Sequence, residues 1–474
     1  MIDGLEPQEL RRLQDSIKFK EKGAHMTAAF RLGEWDGFVS MVEDDGVFAL
    51  YHIDQVIEFV VSRLGYGEDE IDLVDERPEC PVPDDVPPVD ETFLLKYTGH
   101  TLRDYQVDGI NDVIYNRKGI LHLATSAGKT QLTLGISKLL DPYIKTITIV
   151  PSAQLAKQTY DDYQLCEDIK SCLLTAKDSQ QKRLDKIKEN RHFVITEKLF
   201  LNLVDEFEKD TYAVMKDECQ VLGSVLEEAL RYRTPHYPIR IGLTGTIPTD
   251  LYKAERIKCV LGGGVLRHVP PAELISRGLA AKPTIKLVTV SHKEIESLFK
   301  TMRDEKEFEW SIEQNYMSKN VERAEAIATY INKMFKDDTK NTLVLCHAAF
   351  GKVLSKVMNL PIITDDVSVD ERREMFSQFK TEDDHIQLAS FGTSSTGISE
   401  NRIFRLVMID VGKDETTIIQ SIGRGIRLDG VHNKVDVIDI SSNTFYSTKH
   451  RKERIKVYKR EKYDYHEDSN FIYV

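Results

Sequence analysis

The feature that most constrains this chain is an alternation that begins near residue 93 and occurs twice. Short β-rich runs fall at 119–123, 146–150, 193–196, 212–216 and 239–243, with helical segments between them. A second set falls at 342–346, 361–364, 386–390, 404–410 and 434–440. Helices lie between these too, such as 323–336, where Ile327, Tyr330, Ile331, Met334 and Phe335 share one face. Ser368 and Glu371 have the spacing of a capping box that opens the next helix. Strands alternating with helices predict an α/β fold: a parallel sheet covered by helices on both faces, with chemistry at the strand ends. Two such sets predict two tandem parallel-sheet domains, over 92–280 and 281–445.

The flanks read differently. Residues 1–64 predict a small α+β domain. Asp36-Gly37 and Asp45-Gly46 are turn signals around Phe38 to Val42 and Val47 to Tyr51, which predicts a β-ribbon. Ile53, Val56, Ile57, Val60 and Leu64 predict a helix over 53–64 packed on it. Trp35 is either a core anchor or part of a nucleic-acid-contacting wing with Lys18, Lys20, Lys22 and Arg31. Residues 65–91 predict a linker: they hold five of the fifteen prolines and eleven acids against one base. Residues 446–474 predict a basic tail, with eight Lys or Arg within 449–462 interleaved with Tyr446, Tyr458 and Tyr463. Such a helix fits either a phosphate-tracking element or a solvated docked helix.

The net charge of −13 opposes nucleic-acid binding only at first sight, because residues 65–91 alone carry −10 of it. Apolar residues make up 41% of the chain and charged residues 30%, which excludes disorder of the whole. No apolar run is long enough to span a membrane, and the first residues lack a secretory layout. Six scattered cysteines without a Cys-x-x-Cys pair predict free thiols in a reducing cytoplasm and no zinc site.

The chemistry is concentrated in three places. The run Gly119 to Leu123 ends in Ala124-Thr125-Ser126-Ala127-Gly128-Lys129-Thr130. Loop amides and a helix N-terminus there would cradle phosphates, Lys129 would reach the β and γ oxygens, and Thr130 would hold Mg²⁺. Position 123 carries Leu where the usual phosphate-loop pattern has Gly. Second, Asp217-Glu218-Cys219-Gln220 follows an apolar run. Phosphoryl transfer to water needs one carboxylate on the metal and another group to orient the water. Asp217 and Glu218 are assigned those roles, at the end of a strand expected to lie next to the phosphate-loop strand. Third, Gln420-Ser421-Ile422-Gly423-Arg424-Gly425-Ile426-Arg427 places two arginines on one helix face, able to meet γ-phosphate charge.

These motifs stand in the order of the superfamily 2 DNA helicases, which the chain resembles from about residue 100 to 427. That order is Arg103-x-Tyr105-Gln106, the loop at 124–130, Pro151-Ser152-x-x-Leu155-x-x-Gln158, DECQ at 217–220, Gly242-Leu243-Thr244-Gly245-Thr246, Thr396-Gly397 and finally 420–427. The resemblance implies two RecA-like motor domains, ATP as substrate and Mg²⁺ as cofactor. Arg103 and Gln106 would contact the base, and Thr125, Ser126, Ala127, Gly128, Lys129 and Thr130 the phosphates. Gly397, Gln420, Arg424 and Arg427 would complete the site from the second domain. Gln220, Thr244 and Thr246 would couple hydrolysis to closure. Pro151, Ser152, Thr196, His347 and Thr393 would line the nucleic-acid groove.

Phe30-Arg31-x-Gly33-x-Trp35-Asp36-Gly37 ahead of the motor is similar to the branch-migration helicases of T-even phages. That implies an N-terminal DNA-binding domain with Arg31 and Trp35 as contacts, branched or forked DNA with duplex arms as partner, and roles in recombination and repair. A monomer in the cytoplasm, that of the bacterial host for a phage protein, is expected. Gln220 departs from the His usual there, and no Gly-Gly follows near 172–180. The alternatives are an RNA helicase and the motor subunit of a restriction-type nuclease.

Overall fold

A computed structural model describes residues 1–292, 299–302, 309–394, 402–425 and 434–474. Two compact units emerge: Met1–Leu123 with Gly128–His268, and Ala124–Ala127 with Val269–Val474. The break after His268 lies ahead of the boundary expected at 280/281.

Within the first unit, the N-terminal part opens with the helix Pro7–Ser16, capped by Glu6 and Glu9 and absent from the expectations. Strands β1 (Lys18–Lys20) and β2 (Phe38–Ser40) pair antiparallel. This corrects the expected ribbon: 38–42 does not ladder with 47–51, and those segments meet only at the Val42–Phe48 bridge. The partner strand is short and two-thirds lysine, so it carried no strand signal. Leu13, Ile17, Val42, Val56 and Val60 form the core of this part. The expected helix is present as Ile53–Phe59 followed by a wider turn to Leu64.

The first large sheet holds β3 (Lys118–Leu123), β4 (Lys145–Val150), β5 (Ser171–Leu173), β6 (His192–Thr196), β7 (Tyr212–Asp217), β8 (Ile239–Thr244) and β9 (Val265–Val269), in the order β5-β6-β4-β7-β8-β3-β9. Ile147, Ile149, Phe193, Ile195 and Val214 from its strands pack with Phe200, Phe207 and Tyr237 from the covering segments. One expectation is corrected here. The strand that ends in Asp217 is not next to the phosphate-loop strand, because β8 lies between them. Registers keep the ends level all the same: Asp217 pairs with Leu243, and Leu243 with Leu121.

The N-terminal part is docked on this sheet's covering helix Leu251–Leu261 and on the turn Ala229–Arg233. Glu43 accepts from Arg231 Nη2 at 2.8 Å and from the Tyr232 hydroxyl at 2.5 Å. Buried His52 places Nε2 3.2 Å from Cys259 Sγ and Nδ1 2.6 Å from Gln55. Residues 65–91 are likewise held, which corrects the picture of a free tether. Val82 and Val89 are buried. Arg117 Nη2 donates to the carbonyls of Val82 (3.1 Å) and Pro83 (2.8 Å), and Asn111 brackets Val89 through both its amide groups. Arg117 adopts a positive φ of 65° at the helix end to reach this position.

The second unit is built on β10 (Lys282–Ser291), β11 (Thr342–Cys346), β12 (Ile362–Ile363), β13 (Ile386–Ser390), β14 (Arg405–Ile409), β15 (Lys434–Ser442) and β16 (Asp464–Tyr473). The order is β12-β13-β11-β14-β15-β10-β16, and every neighbouring pair is parallel. Residues 446–474, expected as a basic tail with a helix, contain that helix as Phe445–Arg460, and then continue into the edge strand β16, which was not expected. The chain is thus α/β, with two tandem parallel sheets behind a small N-terminal part. Among the described residues, no helix is long and apolar enough to cross a membrane.

Candidate active site

The first sheet gathers its polar residues at the carboxyl ends of its strands, where a doubly wound sheet presents ligands. Beyond β3 the loop turns through Ser126 (φ 74°) and Gly128 (φ 80°), and Lys129 opens the helix Lys129–Leu140. These two left-handed residues bend the chain so that the helix N-terminus faces the loop's hollow. Gly128 takes a left-handed φ that favours glycine, and a Cβ there would lie 2.3 Å from Gln106 Nε2, which would have to move aside. Gln106 is buried, and its Oε1 accepts the Arg103 amide at 2.9 Å. Arg103 Nη1 in turn donates to the Tyr105 hydroxyl at 2.6 Å. The residues expected at the base and at the phosphates therefore adjoin through Gln106 and Gly128.

At the end of β7, Glu218 adopts φ 50° and donates its amide to Asp217 Oδ1 at 2.9 Å. Glu218 Oε1 lies 3.9 Å from Lys129 Nζ, which links the acid pair to the loop lysine. The Asp217 carboxyl is half-buried. That burial, followed by the charge of Glu218, pushes it above the ordinary carboxylate range, and Lys129 opposes the shift. A divalent cation beside this carboxylate would offset its desolvation. No cluster of three or more His, Cys, Asp or Glu able to hold a metal exists among the described residues. One carboxylate with one hydroxyl, Thr130, fits Mg²⁺, which keeps several waters and takes further oxygens from a phosphate.

Gln220 resolves the departure from His. Its Nε2 donates to Glu218 Oε2 at 2.7 Å, and its Oε1 lies 2.5 Å from Thr244 Oγ1. Thr244 Oγ1 accepts the Thr246 amide at 3.0 Å. An amide side chain can donate on one side and accept on the other, so it bridges Glu218 to the Thr244–Thr246 turn at the end of β8. Sequence reasoning missed Lys216. It is buried, donates to the Asp217 carbonyl at 3.0 Å and lies 3.4 Å from Glu197. A lysine inside an apolar run was the available signal.

The groove residues divide. Val150 pairs with Thr196, so Pro151, Ser152 and Thr196 stand together at the ends of β4 and β6. Ser152 also caps the following helix, its Oγ accepting the Leu155 amide at 3.2 Å. His347 is exposed at the end of β11, its Nε2 3.2 Å from the Asp410 carbonyl. Thr393 contradicts its expectation. It is buried, and its hydroxyl is engaged with Ser390 Oγ (2.9 Å) and the Ile363 carbonyl (3.2 Å), so it faces inward. Trp35 is half-buried with Nε1 donating to the Phe38 carbonyl at 2.6 Å, and Arg31 is exposed. The nearby cleft of about 680 Å³ is lined by Asp15, Asp36, Glu43, Asp44 and Asp45 against Lys18. Gln420 lies half-buried on the helix Glu415–Gly425, and Arg424 is on the same helix. Gly397 and Arg427 lie outside the described residues.

Residues 99–249 match the family model described as "Type III restriction enzyme, res subunit". Across nearly its whole length the chain is similar to the ATP-dependent DNA helicase UvsW of Enterobacteria phage T4. The two are 23% identical over an alignment of 490 residues that covers 97% of this chain and 95% of the relative. The chain resembles the ATP-dependent helicases of superfamily 2, UvsW among them. It is also 23% identical over 334 residues to the DNA 3'-5' translocase XPB2 of Sulfurisphaera tokodaii, covering 61% of this chain and 70% of that one. Its fold is similar to a fragment assigned to the HsdR subunit of a type I restriction enzyme from Vibrio vulnificus, with TM-score 0.55 and 16% identity over 82% of this chain and 69% of that one.

Proposed function

We propose that this protein is an ATP-driven DNA translocase that remodels branched or forked DNA with duplex arms, in recombination and repair. The end-to-end similarity to UvsW, named as an ATP-dependent DNA helicase, carries the reading. Lys129 binds the β and γ phosphates, and Thr130 and Asp217 hold Mg²⁺. When bound, that ion neutralises phosphate charge. Glu218 orients and deprotonates the attacking water, its carboxylate steered by Gln220 on one oxygen and Lys129 near the other. Gln220 passes the state of Glu218 to Thr244 and Thr246. Arg103 and Gln106 recognise the base, while Arg424 and Arg427 supply positive charge, and Gln420 a hydrogen bond, to the transferring phosphoryl group. Pro151, Ser152, Thr196 and His347 contact the DNA track, and Arg31 and Trp35 contact branched DNA. The protein works as a monomer in the cytoplasm, that of the bacterial host for a phage protein.

The experiment is ATP hydrolysis by the full chain with and without DNA, followed by unwinding of a four-way junction. Stimulation by DNA and junction dissociation are expected, and Lys129→Ala and Glu218→Gln should abolish both. Hydrolysis indifferent to DNA sinks the reading, and preferential stimulation by RNA turns it into an RNA helicase. A second reading, the motor of a restriction-type nuclease, is favoured by the description of the matching family model. Metal-dependent cleavage of plasmid by the pure protein would support it.

A further inference from the structure

The helix Phe445–Arg460 is fixed to the second sheet by buried charge. Glu313, fully buried, takes the Thr444 hydroxyl at 2.8 Å and the amides of Tyr446 (2.9 Å) and Ser447 (2.8 Å), so a neighbouring helix caps its N-terminus. Further along, Arg454 makes two 2.9 Å bonds to the Asp439 carboxylate on β15 and a third, also 2.9 Å, to the Val411 carbonyl. The Tyr458 hydroxyl donates to the same Asp439 at 2.9 Å. Of the aromatic residues interleaved with the basic run, Tyr458 and Tyr463 are buried and Tyr446 is half-buried.

Opposite this docked face, Lys449, Lys452, Lys456 and Lys459 are all exposed. Their spacings of three and four residues put them within one narrow stripe, running about 15 Å at 1.5 Å per residue. Lys456 is paired with Glu453 at 2.9 Å. Among the described residues Lys449, Lys452 and Lys459 have no carboxylate within ion-pair reach. Lys413 adds to the same field, since its charge and that of Lys449 both help hold the Glu453 carboxyl below its usual range, behind the larger effect of Lys456.

We propose that this stripe is a binding surface for the sugar–phosphate backbone of a duplex DNA arm. The inference rests on the DNA reading above and adds a contact outside the helicase motifs. Duplex DNA carries one charge per roughly 1.7 Å of axis, so a straight row of cations on a rigid helix meets several phosphates at once. Single-strand tracks add a run of aromatic stacking platforms; between Lys449 and Lys459 this stripe exposes none, and the one exposed aromatic on this face, Phe445, lies a turn beyond its end. The stripe reads charge and not sequence.

The test is binding of a labelled duplex, a labelled four-way junction and a labelled single strand by fluorescence anisotropy over a salt series. It compares the full wild-type chain with K449Q/K452Q/K456Q/K459Q and with the same four positions changed to Arg. The Gln variant should bind about tenfold or more weakly near 0.1 M salt, and its log K against log salt slope should be shallower by about two to four. The Arg variant should keep both values. A Gln variant that melts like wild type and binds with its affinity and slope overturns the stripe while leaving the DNA reading intact. Loss of binding in the Arg variant as well overturns it too, as structural damage. An equal loss on single-stranded DNA alone, with duplex binding unchanged, assigns the surface to a different track and overturns the duplex proposal. No DNA binding by wild type at any salt overturns both readings together.

Discussion

Gln220→Ala is the perturbation that most directly interrogates the candidate site. Its side chain makes one charge-assisted bond, to Glu218 at 2.7 Å, and one neutral contact, to Thr244 at 2.5 Å. Such bonds contribute roughly 1.5–3 and 0.5–1.5 kcal/mol respectively. Gln220 is only half-buried, so water replaces part of the loss and the low end applies, about 2 kcal/mol in all. If Glu218 must be held in place for the transition state, about 2 kcal/mol corresponds to roughly a 30-fold fall in kcat/KM for DNA-stimulated hydrolysis. The assay is steady-state ATP turnover at saturating DNA for wild type, Gln220→Ala, Thr244→Val and the double variant. Thr244 shares a direct bond with Gln220, so the cycle should show a coupling of about 1 kcal/mol, the double variant being less impaired than the singles added together. Gln220→His should retain most activity, because imidazole also offers one donor and one acceptor. Activity of Gln220→Ala within twofold of wild type, or strict additivity in the cycle, would refute the bridge as a functional element.

Three further outcomes are expected. Glu313→Ala strands a hydroxyl and two amides at a helix start, which costs about 3–5 kcal/mol locally; hydrogen exchange across 446–460 should accelerate at least about a hundredfold, and unchanged protection would refute the cap. His292 is held by burial, and then by the charge of Arg323, at about 4 against an ordinary 6.5. The unfolded chain therefore takes up a proton between those values that the folded chain refuses, so this contribution is complete above pH 6.5 and is lost as pH falls toward 4, on the order of 3 kcal/mol in total. Urea melts at a series of pH values should show that slope in wild type and a flatter one in His292→Asn. Arg117→Ala should release the strap at 82–84, so limited proteolysis within 65–91 becomes several-fold faster; an unchanged cleavage rate would mean the strap is held by its buried valines alone.

Much of the architecture was legible because buried parallel strands read as short, largely apolar runs: Thr342–Cys346 and Ile386–Ser390 match the expected bounds. The misses share a cause. Strand β16 reads Asp-Tyr-His-Glu-Asp-Ser-Asn at its start because it lies at a sheet edge, and β1 is Lys-Phe-Lys. Neither buries two faces, so neither shows the pattern. The first-sheet motifs could be placed at strand ends from residue type and spacing. What was not legible is the set of buried ion pairs within each unit. Lys216 with Glu197, Arg323 with Asp410 and Arg454 with Asp439 are separated by 19, 87 and 15 residues and are joined only by the fold. The order of strands was equally hidden: only pairing reveals that β8 separates the acid pair from the phosphate loop.

The docking of residues 1–64 has a mechanical consequence. Glu43 grips Arg231 and Tyr232, and His52 seats against Cys259 on the helix that packs behind β3 and β8. The load path from the N-terminal part to the phosphate-loop strand therefore runs through packed side chains, not through the acidic strap. Anything held by residues 1–64 is carried with the first sheet as cargo on a stiff arm, so a movement of that sheet reaches it without slack.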